Sequence, residues 1–459
     1  MKSIYIITLS AFCLLAGACK KYVDIPLPQN KLVADLVFAN DKTADAAMAG
    51  LYSEMNAYNS QFANLIANFM PAFSADEFHY AFSFGSYDEF KNNSLSPSNT
   101  YVNRFWEPVY SYIYHSNAIL EGLDRSANLS ASLKDQIHGE ALFMRAFCYF
   151  YLVNYFGDVP LITTTDIRVN NTMPRTAKAE VWASIINDLK NAQQLLPDAY
   201  PGGERTRANK AVATALLARS YLYTQQWDKA ETEAGKIIDN SMYRLLPDLS
   251  QVFLKNSQEA IWQLQTVNTS TSGVNTWDGF GLVPVTAGGR AYYVTDDTFT
   301  DEFEAGDQRL TNWVGSFVLS GVTYHYPYKY KVRTGSPVKE YSMVLRVAEQ
   351  YLIRAEARAQ QNKLSESLAD VDSIRVRAGL DPLPDNLGKE DILLAIEKER
   401  RIELFAEWGH RWLDLKRTGR ALAVLGPKKP DLTEDDLLFP IPKAAMNTNP
   451  NLVQNQGYN

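Results

Sequence analysis

Two long segments of this chain combine flat aromatic rings with side chains that bind hydroxyl groups. Residues 59–100 contain a series of Phe and Tyr residues and the acidic pair Asp76 and Glu77. Residues 240–340 contain Trp277, Asp278, Arg290, Tyr292, Tyr293, Asp296, Asp297 and Trp313. A sugar presents an apolar C–H face and a rim of hydroxyls, so a ring that stacks and a polar group that donates or accepts suit it.

This chemistry gives a first set of site residues. We predict that Trp277 and Trp313 are stacking platforms, with Tyr292 or Tyr293 beside them. Asp76 and Arg290 are the predicted polar contacts. The residues also fit another interpretation, in which rings between helices fill a secondary core and Asp76 caps a turn.

Most sequence motifs of catalytic sites are absent. The five histidines are scattered, without the i, i+4 pair that zinc hydrolases use. No Gly-rich phosphate loop, nucleophile elbow or calcium-loop spacing occurs, and no cofactor or metal is predicted. Carboxylates are plentiful, so a pair of catalytic carboxyl groups of the glycosidase type remains an open alternative.

The dense charged group between Glu399 and Asp414 is predicted to be a structural ion-pair network, because spacings of three and four place opposite charges side by side on a helix.

The N-terminus has the layout of a secretory signal. Lys2 precedes an apolar run over residues 4–18 that is too short to span a bilayer. Cys19 directly follows Ala16, Gly17 and Ala18, which resembles a bacterial lipobox with Ala16 where Leu is usual. We predict a lipoprotein signal peptide over 1–18, lipid attachment at Cys19 and a tether over 19–37. A plain secretory signal is the alternative.

Composition limits the remaining function classes. Once the segment 1–18 is removed, the chain is still long enough for a large core, and the net charge of −7 becomes −8 without Lys2. No basic cluster suggests nucleic acid. Cys148 would be the one remaining cysteine, expected to be a small buried hydrophobe.

Apolar periodicity predicts a mainly helical domain over residues 38–459. Helices are expected at 41–58, 101–124, 131–156, 178–196, 207–224, 227–239, 341–361, 365–378 and 389–418. Leu216–Ala230 matches Ile353–Ser367 at a constant offset, with Ala218 over Ala355. Such units resemble tetratricopeptide helix pairs. The segments 59–100 and 240–340 are long loop excursions, and Ser320–Gly321 predicts a hairpin turn whose strand carries alternating tyrosines from Tyr324 to Tyr330.

One segment indicates a family. Residues 139–162, GEALFMRAFCYFYLVNYFGDVPLI, are apolar on all sides of a helix that ends at Gly157, so this helix belongs at the centre of the core. With Glu140 and Arg145, it resembles the signature helix of the SusD/RagB family. The block from Glu399 to Arg417 and the terminal segment 438–458 also resemble family blocks, with Ala445 where members often carry Glu.

The resemblance implies a function. SusD/RagB proteins are non-catalytic outer-membrane lipoproteins on the cell surface that capture oligosaccharide and deliver it to a SusC-like TonB-dependent transporter. Their ligand face is built largely from loops that correspond to the two excursions. The residues leave open a helical-repeat scaffold that binds only proteins, a binder of another nutrient such as a peptide, and a lipid-anchored glycoside hydrolase.

Overall fold

The computed structural model describes residues 34–57, 60–267 and 273–458. The predicted signal peptide and Cys19 lie outside these residues. Of the predicted tether, Ala34–Val37 is described and forms one helical turn, α1. None of the helices in the described ranges combines the length and the apolar composition that crossing a bilayer requires.

The fold is mainly helical, as predicted. The first half contains, in order, α2 Asp41–Met55, a π-helical turn Phe62–Ile66, α3 Ala67–Ser74, α4 Gly85–Lys91, α5 Thr100–Arg104, α6 Glu107–Arg125, α7 Ala131–Phe156, α8 Ile167–Asn170, α9 Lys178–Leu195, α10 Lys210–Tyr223 and α11 Trp227–Ile238. The second half contains α12 Trp277–Leu282, α13 Gln308–Trp313, α14 Val347–Gln360, α15 Leu364–Arg377, α16 Lys389–Glu403, α17 His410–Arg417, α18 Ala421–Leu425 and α19 Lys443–Thr448.

Three antiparallel two-stranded ribbons connect these helices. Strand β1 Phe78–Tyr80 pairs with β3 Tyr293–Thr295, and β2 Ala260–Leu264 pairs with β6 Ser342–Arg346. Strands β4 Val314–Leu319 and β5 Val322–Pro327 form the predicted hairpin. Its turn residues Ser320 and Gly321 both have positive φ, the geometry that suits a two-residue hairpin loop.

Helix α7 lies at the centre of the core. From Gly139 onward nearly all of its side chains are buried, and α2, α6 and α9 pack around it. The buried thiol of Cys148 has its pKa raised by burial, as expected of a small hydrophobic residue. Gly157 ends the helix with φ of 72°, a backbone conformation that favours glycine.

The predicted repeat is confirmed by two equivalent helix pairs. The pairs α10–α11 and α14–α15 pack on each other through α11 and α14. Their turns match: Gln225 and Asn362, at equivalent positions of the two pairs, both have left-handed φ values, 57° and 60°. Ala218 and Ala355 are fully buried at the equivalent close approach.

Three predicted helices differ from the structure. Residues 342–346 of the predicted helix 341–361 form β6, because β2 offers a partner strand that helical periodicity does not reveal. The predicted helix 389–418 breaks between α16 and α17, where Trp408 adopts φ of 46° and its buried indole donates to the Met343 carbonyl at 2.8 Å. Segment 101–124 divides into α5 and α6, since Pro108 favours a fresh helix start.

The acidic and basic residues of α16 and α17 form a buried ion-pair network. Arg309 binds Glu399 at 2.8 Å and Glu403 at 3.1 Å, while Arg346 binds Glu403 at 2.6 Å and Glu407 at 2.8 Å. Burial alone would raise the pKa of Glu403, but the surrounding guanidinium groups hold that pKa well below its usual value. The predicted structural network is therefore confirmed, although these partners come from other elements rather than from one helix face.

Candidate functional site

The two predicted excursions meet in one short ribbon. Tyr80 of β1 lies opposite Tyr293 of β3, and the Ala81 amide donates to the Tyr292 carbonyl at 2.8 Å just beyond the paired strands. The first excursion is not structureless, because it contains the buried helix α3 and the helix α4. The ribbon between these distant segments fixes the position of the rings that follow.

The hairpin and α3 support this ribbon from its two sides. Phe317 and Tyr326 of the hairpin pack in one buried cluster with Ala291 and Val294. Tyr324 and Tyr328 lie beside the same cluster, so these two tyrosines and Tyr326 share a face and serve packing, whereas Tyr330 is buried in the main core. On the other side, the Tyr293 ring contacts the Phe69 ring of α3 at a centroid distance of 4.6 Å.

Three exposed rings and one arginine lie together at the end of the ribbon. We call this group the aromatic patch and define it as Phe82, Phe84, Tyr292 and Arg290. Phe82, Phe84 and Tyr292 are 40%, 47% and 46% exposed. The Phe82 and Tyr292 rings lie 6.1 Å apart, and the Arg290 guanidinium lies over the Phe82 ring at 4.2 Å. Large apolar rings left in water beside a cation that can donate hydrogen bonds are typical of a binding surface.

Half-buried tyrosines form a second layer under the patch. The Tyr80 ring lies 5.5 Å from those of Phe82 and Tyr87, and Tyr87 lies 4.9 Å from Phe84. Burial raises the pKa of Tyr293 to about 12, so this hydroxyl keeps its proton at neutral pH. The patch therefore rests on rings that hold the exposed ones in place.

The opposite face of the ribbon borders a polar cleft of about 550 Å³. His79 and Asp296 lie 3.2 Å apart there, next to Lys91 and Lys428. The Lys429 ammonium donates to the Phe73 and Ser74 carbonyls at 2.7 Å each, and burial lowers its pKa to about 7. This cleft could supply polar contacts at the edge of the patch, but its described lining residues include no exposed aromatic platform.

The prediction of Trp277 and Trp313 as platforms is wrong. Their side chains are 2% and 0% exposed, so neither has a face open to a ligand. The Trp313 indole donates to the Leu249 carbonyl at 3.1 Å, and the Trp277 indole to the Asn56 carbonyl at 3.4 Å. Both rings fill the core between the second excursion and the helices, which is the alternative that their sequence left open.

Asp76 is also not a surface contact. It is buried and binds Arg401 and Arg411 at 2.8 Å each. Burial alone would raise its pKa, but the charges of Arg411 and Arg401 hold the pKa of this carboxyl well below its usual value. Asp76 thus joins the first excursion to α16 and α17, and a hydroxyl ligand does not reach it.

The structure brings together Arg290, Tyr292 and Tyr293 from the predicted set. Sequence reasoning missed Phe82 and Phe84 as site residues, although both lie in the predicted excursion. A local signal was available, since these rings alternate with the small residues Ala81, Ser83 and Gly85 immediately before a helix. Such alternation places both rings on the same side of an extended segment.

Comparisons with known proteins all find similarity to SusD-like proteins. A family model described as "Starch-binding associating with outer membrane" matches residues 29–222, and a model of the SusD family matches residues 311–458. A SusD-like protein of Formosa agariphila is 25% identical, with 96% of each chain covered. Starch-binding protein SusD of Bacteroides thetaiotaomicron is 32% identical over 146 residues, which is 30% of this chain and 25% of that protein.

Solved structures extend this similarity to the whole fold. A laminarin binding SusD-like protein has a TM-score of 0.78 at 25% identity, covering 92% of this chain and 100% of that one. A SusD homolog from Bacteroides thetaiotaomicron has a TM-score of 0.81 at 21% identity, covering 93% and 98%. The second match concerns the fold alone.

Proposed function

Because this chain belongs to the SusD/RagB family of glycan-binding proteins, whose matching family model is described as associating with the outer membrane, we propose that its aromatic patch captures an oligosaccharide without cleaving it. The observation that carries the proposal is the exposure of Phe82, Phe84 and Tyr292 beside Arg290. The rings would stack on the C–H faces of sugar units, while Arg290 donates to hydroxyls.

The charge distribution around the patch supports a binding role without catalysis. A glycosidase needs two carboxyl groups facing each other across the scissile bond, at about 5–9.5 Å. The carboxyl groups of the dense charged group on α16 and α17 are buried in ion pairs beneath the surface. Asp296 lies on the other face of the ribbon, paired with His79.

The test of this proposal is affinity electrophoresis in native gels that contain soluble starch or laminarin. These polymers are chosen because related proteins are named for binding starch and laminarin. We expect the protein without residues 1–18 to be retarded by at least one polymer, and the Phe82→Ala/Tyr292→Ala double variant to lose that retardation. Val376→Ala, which removes a 56% exposed apolar side chain on α15, is the matched control.

Two results would contradict the proposed binding, and a third would contradict its non-catalytic role. One is normal mobility of the protein in a broader polysaccharide panel, which would favour a peptide ligand or a scaffold that binds only proteins. The other is equal retardation of the double variant and the Val376→Ala control. Reducing sugar released from a retained polymer would contradict the non-catalytic role and favour a glycoside hydrolase.

The membrane attachment and the partner are further parts of the proposal. We propose that Cys19 carries lipid, that the protein lies on the cell surface, and that it passes its ligand to a SusC-like TonB-dependent transporter. Cys19→Ala should move the protein out of the outer-membrane fraction, and surface labelling of intact cells should then disappear. Affinity purification from detergent-solubilised outer membranes should recover the transporter; its absence would contradict delivery by this route.

A further inference from the structure

A second aromatic cleft, of about 430 Å³, lies beside helix α6; we call it the helix cleft. Helices α5, α6, α8 and α19 supply most of its lining, together with Pro160 and Ile162. The aromatic patch is on the other side of α5: Tyr101 packs on Tyr87 at 4.9 Å, whereas Asn103 lines the helix cleft. Two residues apart on a helix point in nearly opposite directions, so the two surfaces are distinct.

Three rings of the cleft form a stripe along α6. Trp106, Tyr110 and Tyr114 follow each other at intervals of four residues, which places them on one helix face. The Trp106 and Tyr110 ring centroids lie 5.0 Å apart, and the Tyr110 hydroxyl donates to the Pro160 carbonyl at 3.0 Å. Tyr114 is 42% exposed at the open end of the stripe. The stripe is thus a fixed, partly open run of rings.

The polar groups of the helix cleft are almost all uncharged. Asn103, Asn170, Asn171, Asn449 and Thr448 line it, and Glu107 alone carries a charge among the described residues that do. The Glu107 carboxylate accepts from the Asn103 amide at 2.7 Å. A cleft with one already engaged carboxylate and no cation suits a ligand without net charge.

One buried acceptor in this lining has no partner. The Asn170 amide nitrogen donates to the Thr164 carbonyl at 2.9 Å, but its Oδ1 is buried without a hydrogen-bond partner in the part of the chain that the structure describes. A buried amide oxygen without a partner is unfavourable, and a rotation of the Asn170 side chain toward the cleft would let a ligand hydroxyl satisfy it. Rings that stack and amides that bind hydroxyls are the two requirements of a sugar site.

We propose that the helix cleft is a second saccharide site, which binds a short segment of a neutral glycan chain. The Tyr114 and Tyr110 rings stack on sugar faces, and the Asn170 oxygen accepts from a hydroxyl once its side chain rotates into the cleft. The volume falls within the range of small-ligand sites, about 300–1,000 Å³. This site is separate from the aromatic patch, so it would hold glycan even when the patch is disabled.

Saturation-transfer difference NMR tests this site with a fixed set of neutral probes: maltohexaose, laminarihexaose, cellohexaose and xylohexaose. We expect the purified Phe82→Ala/Tyr292→Ala protein still to transfer saturation to at least one of them. Adding Tyr114→Ala should reduce that transfer at least fivefold. Adding Ala444→Trp instead, which fills the cleft from an exposed position on α19, should do the same. Val376→Ala in the same background is the control.

The outcomes separate the two sites. Transfer to none of the four probes, or transfer that survives both Tyr114→Ala and Ala444→Trp, overturns the second site; a cleft that takes a polypeptide would give one of these results. A third outcome would support the helix cleft and contradict the aromatic patch. In it, the Phe82→Ala/Tyr292→Ala variant gives as much saturation transfer as the unmodified protein, and the further change Tyr114→Ala removes that transfer.

Discussion

The aromatic core and the aromatic patch contain the same kinds of ring in opposite environments. Around α7, the Phe147 ring lies 5.1 Å from Tyr151 and 5.0 Å from Trp262, and all three side chains are buried. In the patch, Phe82, Phe84 and Tyr292 leave nearly half of their surface in water. Core rings stabilise the fold, whereas patch rings retain apolar area that a ligand can cover. Ring chemistry alone therefore does not distinguish scaffold from site.

The charged residues follow the same division. Arg346 in the scaffold is buried and contacts Glu259, Glu403 and Glu407. Arg290 in the patch is exposed and has no carboxylate within ion-pair distance among the described residues, so its donors are available. A guanidinium that is already saturated holds elements together, while one that is exposed can bind a ligand.

The largest expected effect is on the core side of this comparison. Trp313→Ala should lower the free energy of unfolding by about 3–5 kcal/mol, because it leaves a large cavity in a fully buried position. Urea denaturation measures this loss. The folded fraction should keep its retention on polysaccharide gels, and a selective loss of retention with unchanged stability would restore Trp313 as a platform.

A second core prediction concerns Asp76. Asp76→Asn should cost about 3 kcal/mol of stability, because it removes the buried carboxylate that Arg401 and Arg411 share and leaves them only the partly exposed Glu302 and Glu397. The pKa of Asp76 is lower in the folded state than in the unfolded state, so its contribution is present above about pH 4 and is lost as the pH falls below that value.

This pH dependence gives Asp76 a separate readout. The variant should lose less stability than the unmodified protein between pH 5 and pH 3, measured by denaturation at each pH. Parallel curves over this interval would show that Asp76 is not held ionised by its neighbours.

On the patch side, Tyr292 separates ring stacking from hydroxyl bonding. Tyr292→Ala should weaken glycan binding about five- to tenfold, which corresponds to about 1–1.4 kcal/mol, while stability changes by less than about 0.5 kcal/mol. Tyr292→Phe should keep most of the affinity if stacking dominates. Isothermal titration with a polymer that retards the protein measures both; equal losses in the two variants would assign the contact to the hydroxyl.

The smallest expected effect tests the cation in the patch. Arg290→Lys should weaken binding about two- to fivefold, because lysine keeps the charge but loses the flat group that lies over Phe82. Arg290→Gln, which removes the charge, should weaken it further. The same titration provides the measurement, and unchanged affinity in both variants would exclude Arg290 from the contact.

Much of the scaffold was predictable because its signals are local and periodic. The all-apolar pattern of α7, the matched helix pairs and the Ser320–Gly321 turn each follow from short-range rules, and all three are confirmed. The β6 strand and the break before α17 were not predictable in this way. Their causes are a distant partner strand and the buried Trp408 ring, which no local pattern contains.

The site was less predictable, because contacts between distant segments of the chain decide which of its side chains are exposed. Trp277 and Phe82 lie in segments of similar composition, and only the three-dimensional packing decides that the first is covered and the second is exposed. Asp76 was predicted to be a polar ligand contact because it lies among aromatic residues in the sequence. Its partners Arg401 and Arg411 lie near the opposite end of the chain. Arg290 and Tyr292 were predicted from their residue types within a long loop excursion, where exposure is common.

The backbone pairing of β1 with β3, which the Ala81 amide extends to the Tyr292 carbonyl, forms a joint with a consequence for how the proposed ligand preference could evolve. Each side of the joint comes from a separate insertion, and neither contributes to the stacked helix pairs. A replacement of one insertion that preserves this joint would present new rings opposite the old ones, so substrate range could be altered by grafting one segment at a time.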